Sequence, residues 1–182
     1  LAAAYQDINR EIIELSKAGN QRAQFQLYKL YSKAMYNICI RMLNSKEEAE
    51  DLLQESFTDA FMKLNSFRYE SSFGAWLKRI VINKCINAIN KKKIELIFPE
   101  NPVEPDAADE EVDYTGIELN VRQVHQAVEK LPDGYRLIFS LYALEGYDHG
   151  EISQIMNISE STSKSQYLRA KQKIKEILKQ QA

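Results

Sequence analysis

Residues 147–162 read YDHGEISQIMNISEST, and the fold follows from how they are parsed. Ile152, Ile155 and Met156 recur at helical spacing and would face one small core. Asn157 then breaks the pattern. Ile158 stands as an apolar turn residue, and Ser159 is a side chain suited to cap a second helix. That helix opens on Ser161, Thr162, Ser163, Lys164, Ser165 and Gln166 and runs on through Tyr167, Leu168 and Arg169. Two helices joined this way form a helix-turn-helix. Its second helix offers its first residues to base edges in a DNA major groove, while lysine and arginine neutralise phosphates. From Glu160 onward the cations are Lys164, Arg169, Lys171, Lys173, Lys175 and Lys179, against Glu160 and Glu176. Two packed helices with a solvated lysine face would give the same local pattern, so the remainder of the chain must decide.

Upstream, residues 94–118 hold nine acids, no lysine or arginine, and three of the four prolines. Such a stretch cannot bury enough apolar surface to offset its ordering entropy. It reads as an acidic flexible linker, and it divides the chain into residues 1–93, 94–118 and 119–182. Both flanks read as helical domains, so the expected class is all-α with two helical domains.

Within residues 1–93, an apolar stripe begins at Ile8, Ile12, Ile13 and Leu15. A second takes Phe25, Tyr28, Leu30, Tyr31, Met35, Ile38, Cys39 and Met42. Ser45 with Glu48 three residues on predicts a capping box. The helix it opens carries Leu52, Leu53, Phe57, Ala60 and Phe61 on one face. A fourth stripe runs Phe73, Trp76, Leu77, Ile80, Val81, Cys85, Ile86 and Ile89. Within residues 119–182, Val121 to Leu131 and Tyr135 to Leu144 read as helices, separated by Pro132 and closed by Gly146.

Charge is unevenly spread over a chain of net charge -2. Residues 63–93 hold eight cations against Glu70 alone, with Phe67, Tyr69, Phe73 and Trp76 interleaved. Cations among rings suit single-stranded DNA, because bases stack while the backbone follows the charge. Trp76 and Phe73 lie on the apolar stripe and read as core, so polar residues are the expected contacts. Asn83 and Asn87 share a helix face and can each hydrogen-bond a base edge. By contrast, Glu47, Glu48, Glu50, Asp51, Glu55 and Asp59 crowd the preceding helix. That face is either simply solvated or docks a cationic protein.

Other classes find no support. The two cysteines, Cys39 and Cys85, and the two histidines, His125 and His149, have no metal-ligand spacing, so neither metal nor cofactor is expected. No nucleophile–base group or glycine-rich phosphate loop is present, so no enzyme is expected. No apolar run spans a membrane, and the reducing cytoplasm is the default location.

Three motifs then fall in one order. Residues 49–57, AEDLLQESF, resemble the "AEDLLQE(T/S)F" motif of region two in extracytoplasmic-function sigma factors of bacterial RNA polymerase. Residues 73–83, FGAWLKRIVIN, resemble that family's promoter-melting segment. Leu131–Pro132 and the helix-turn-helix resemble region four. The resemblance implies that Asp51, Gln54 and Glu55 bind the clamp helices of the polymerase core's largest subunit. It implies that residues 67–72, with Phe67, Arg68, Tyr69, Ser71 and Ser72, capture a flipped base of the minus-ten element. Asn83, Lys84, Asn87 and Lys91 would face the same element. Ser161, Thr162, Lys164, Ser165, Gln166 and Arg169 would read the minus-thirty-five element. An anti-sigma factor linked to a membrane is an implied partner, with promoter DNA and core polymerase. The chain departs from many relatives at Asn157, Ser163 and Gln166, where glycine, valine and arginine are common. A stand-alone helix-turn-helix regulator, acting on duplex without polymerase, is the competing interpretation.

Overall fold

The computed structural model describes residues 8–91 and 121–180, and every regular element among them is helical. The acidic segment 94–118 and the end of the basic run, Lys92 and Lys93, lie outside the described residues. Two compact units divide between Lys92 and Lys93.

Unit 1 is built from α1 (Arg10–Lys17), α2 (Gln21–Leu43), α3 (Lys46–Met62) and α4 (Phe73–Lys91), with a 3-10 turn at Leu64–Ser66. Polar caps set the boundaries. The Asn20 side chain accepts from the Ala23 amide at 3.1 Å, and Ser45 Oγ accepts from the Glu48 amide at 3.4 Å. Asn44 closes α2 in the left-handed conformation, which its short polar side chain tolerates. The core between α2, α3 and α4 takes Leu27, Ile38, Cys39, Leu53, Phe57, Leu77, Val81, Ile82 and Cys85. Each large apolar side chain among them, fully buried, stabilises the unit by about 1.5–3 kcal/mol.

The two stripes expected at the start of the chain are narrower than the sequence suggests. Ile8 is 99% exposed, and Leu15, Phe25 and Leu30 also face solvent. Ile13, an expected member of the first stripe, is fully buried, and Leu27, which the second stripe omitted, is buried as well. Phe25 stands two residues before Leu27, hence about 200° round the helix from it, and its ring carries the Lys29 ammonium 4.7 Å from its centroid.

Unit 2 is built from α5 (Val121–Glu129), α6 (Asp133–Phe139), α7 (His149–Met156) and α8 (Glu160–Lys179), with a π turn at Ser140–Leu144 following α6. Ala127, Val128, Leu131 and Tyr135 pack on Ala170, Ile174 and Leu178 of α8. Pro132 starts α6, and the buried Arg136 donates to the Leu131 carbonyl at 2.9 Å. Asp148 and Glu151 form the complete capping box that opens α7. Asn157 ends α7 at φ 52°, ψ 47°, and Ser159 then caps α8 through the Thr162 amide at 3.0 Å. These are the two turn devices expected of the helix-turn-helix.

A ring stack fixes α8 against α7. Tyr142, on the π turn, stacks on His149 at 4.3 Å and meets Tyr167 at 4.5 Å. His149 Nδ1 also pairs with Ser163 Oγ at 2.9 Å, so the small Ser163 becomes a polar link between the helices. Burial, followed by the nearby Lys164 charge, lowers the His149 pKa below 6.5, against weaker opposing effects of Glu160 and Asp148.

Two measurements check these devices. Asn157→Val is expected to destabilise unit 2 by about 1–2 kcal/mol in urea denaturation, while Asn157→Gly leaves it nearly unchanged. Because the folded unit favours neutral His149, its contribution is complete above pH 6.5 and declines as pH falls from 6.5 through the lowered value. Unit 2 is therefore expected to lose stability as pH falls below 6.5, and His149→Gln to lessen that loss.

Candidate functional site

The exposed face of α3 is acidic. Glu47, Asp51, Glu55 and Asp59 follow at four-residue steps, so they form one row along the helix, with Gln54 and Thr58 beside it. Asp51, Gln54, Glu55, Thr58, Asp59 and Lys84 of α4 line a shallow groove. Lys84 lies 3.3 Å from Glu55 and 3.2 Å from Asp59. Burial pushes its ammonium pKa down, but hydrogen bonds to Asp59 and Glu55 more than offset this, and the net shift is upward. Lys84 is thus held as a cation on the acidic face. The expected grouping of Lys84 with Asn83 and Asn87 is corrected here, because one helical step of about 100° turns it from their face toward α3.

The exposed face of α4 is uncharged or cationic. Arg79, Asn83, Asn87 and Lys91 are all exposed and again follow at four-residue steps. Arg79 was not among the expected contacts. Its four-residue distance from Asn83 is the signal that places it in this row.

Arg79 also lines a concavity of about 600 Å³ with Ser66, Phe67, Arg68, Glu70, Ser71, Ala75 and Trp76. That is far more than the ~30 Å³ share of one water, and Trp76 at its wall is only half-buried. The segment before α4 divides its residues between two tasks. Phe67 and Tyr69 are buried, which corrects the expectation that they face DNA. Phe67 meets Tyr69, Phe73 and Trp76 at centroid distances of 4.7, 5.8 and 5.4 Å. Tyr69 Oη donates to Glu14 at 2.6 Å. The Ser72 hydroxyl accepts from the Ala75 amide at 3.2 Å and so begins α4. Arg68 and Glu70 stay exposed, and Ser71 is half-exposed with its hydroxyl on the Ser72 carbonyl at 3.3 Å.

On α8 the outward row is Ser161, Ser165 and Arg169, with Thr162 and Lys164 alongside. Several of these groups already have local partners. Ser159 Oγ meets Ser161 Oγ at 2.9 Å and Thr162 Oγ1 at 2.7 Å. Ser165 Oγ donates to the Thr162 carbonyl, and Lys164 pairs with Glu160 at 2.8 Å. Gln166 departs from expectation. It is 5% exposed, and its Oε1 is buried with no protein partner among the described residues. Five residues past Ser161 it lies about 140° round the helix, on the packed side. It therefore belongs to the core of unit 2.

Among the described residues no group of three or more histidine, cysteine or acidic side chains could hold a metal ion, and no helix is long and apolar enough to cross a membrane. The described residues present an acidic groove, an amide-and-cation row with its concavity, and the outward row of α8 in the helix-turn-helix.

Comparison with known proteins gives these surfaces a context. Residues 27–94 match the Sigma-70 region 2 family, and residues 121–174 match Sigma-70 region 4. The chain is 30% identical to the ECF RNA polymerase sigma factor SigW of Bacillus subtilis, covering 92% of this chain and 95% of that protein. It is 31% identical to SigM of the same species, covering 84% and 93%. Two solved structures share the fold. One is CnrH in complex with the cytosolic domain of CnrY, at TM-score 0.54 and 21% identity, covering 97% of this chain and 100% of that one. The other is the sigma factor RpoE of Bartonella quintana with the anti-sigma factor NepR, at TM-score 0.53 and 24% identity, covering 85% and 95%. Two regions matched in order, and relatives aligned over nearly their whole length, place this chain in the extracytoplasmic-function sigma factors of bacterial RNA polymerase.

Proposed function

We propose that this alternative sigma factor divides its work among the three surfaces, as the charge separation in unit 1 supports. On adjacent helices, α3 exposes carboxylates and α4 exposes amides and cations. Carboxylates repel a phosphate backbone, so the α3 row suits a cationic protein surface and the α4 row suits DNA. Asp51, Gln54 and Glu55 then dock on the clamp helices of core polymerase. Arg79, Asn83, Asn87 and Lys91 follow the minus-ten element, and Arg68 and Ser71 hold an extruded base in the concavity beside them. In unit 2, Ser161, Thr162, Lys164, Ser165 and Arg169 read the minus-thirty-five duplex. The protein performs no chemistry of its own. It lowers the cost of opening DNA by binding what opening exposes.

An anti-sigma factor that covers the α3 or α4 face would keep the protein idle in the cytoplasm. A stand-alone regulator of duplex DNA would leave the acidic groove and the concavity without a task.

Two measurements test the assignment. Charge reversal in Asp51→Lys or Glu55→Lys is expected to weaken core binding by about tenfold or more, roughly 1.4 kcal/mol, with helix content unchanged. Unaltered core affinity removes the docking assignment. Lys164→Ala with Arg169→Ala is expected to weaken binding of the holoenzyme to upstream duplex and to flatten the slope of log affinity against log salt by up to about 1.8, for two lost phosphate contacts. An unchanged slope removes these two residues from the interface.

A further inference from the structure

The exposed Arg68 and the half-exposed Ser71 sit in residues 67–72, which form no helix. Beside the packing of Phe67 on α4, this segment is tied to α1, at least fifty residues earlier in the chain. Tyr69 has φ +58°, a left-handed backbone that a bulky residue keeps only when its surroundings impose it. Those surroundings include the Phe67 ring, 4.7 Å away, and three side chains on successive turns of α1. Glu14 Oε1 accepts from Tyr69 Oη at 2.6 Å. Arg10 and Lys17 lie over the Tyr69 ring, 4.7 and 4.6 Å from its centroid. Lys17 Nζ also donates to the Phe67 carbonyl at 3.1 Å and to Glu14 at 3.0 Å. The residues on both sides of Arg68 are therefore tied to α1: Phe67 by its carbonyl and Tyr69 by its ring and hydroxyl. The Tyr69 hydrogen bond, followed by that of Lys17, holds the Glu14 carboxyl below the usual range, so Glu14 stays an acceptor at neutral pH.

We propose that Glu14 is a positioning residue for promoter opening, a latch that clamps Tyr69 and so aims Arg68 and Ser71 into the concavity they line. This rests on the assignment of that concavity to an extruded base. Glu14 itself touches no DNA. Its acceptor oxygen takes hydrogen bonds from both the Tyr69 hydroxyl and the Lys17 ammonium, and an uncharged amide oxygen at the same place can accept both.

The test uses the full chain bound to core polymerase. Templates carry each of the four bases in turn at the captured minus-ten position, and permanganate reactivity reads the opened strand. Glu14→Ala and Tyr69→Phe are expected to reduce opening on the preferred base by about tenfold, the scale of one hydrogen bond. Discrimination among the four bases should contract, with core affinity unchanged. Glu14→Gln, which keeps an acceptor oxygen, should restore most of both. The latch is refuted if Glu14→Ala discriminates like the parent, or if core affinity and thermal stability fall in step with opening. It is also refuted if Glu14→Gln behaves like Glu14→Ala. Arg68→Ala separates the two levels. If it abolishes discrimination while Glu14→Ala does not, the latch alone fails. If Arg68→Ala changes nothing, the base-capture assignment fails and takes the latch with it.

Discussion

Phe73 has no exposed surface, and unit 1 is organised around it. Its ring meets Tyr31 of α2 at 5.1 Å, Phe67 of the preceding segment at 5.8 Å and Trp76 of its own helix at 5.7 Å. A side chain at Gly74 would begin 3.0 Å from the Tyr31 ring, so the close approach of α2 to the start of α4 favours glycine there. Removing a buried phenylalanine ring costs about 3–5 kcal/mol. The cluster thereby joins α2, α4 and the loop between the 3-10 turn and α4. Because Phe67 is spent on this packing, only its neighbours remain to face outward.

The same economy governs the helix faces. Each of α3 and α4 buries one side, and what is left differs in charge: carboxylates predominate on α3, amides and cations on α4. Lys84 is where the two characters meet. Its ammonium is shared between Glu55 and Asp59, so the acidic groove contains one internal counterion. Half-buried as it is, that ion pair adds orientation to the groove more surely than it adds stability.

Local signals were legible in the sequence and long-range ones were not. Ser45, Asn157 and Ser159 act on backbone groups a few residues away, and each sits where its type suggested. The alternation of apolar residues located the buried sides of α3 and α4. Phe67 and Tyr69 misled because an aromatic among cations looks the same whether it stacks on a base or on its own core. Their partners, Glu14 and Phe73, come from other elements. Gln166 misled because its side chain suits base reading, while its angular position on α8 is the packed one. The π turn has no marker that periodicity could detect, yet it carries Tyr142 to the ring stack.

In α8 the groups that hold the helix down, Ser163, Gln166, Tyr167, Leu168 and Ala170, alternate around its axis with the outward row of Ser161, Ser165 and Arg169. Packing and exposure therefore fall on different sides of one rod. Under the proposed assignment of the outward row to DNA, single substitutions there can change which duplex is preferred while the packed side keeps the domain folded.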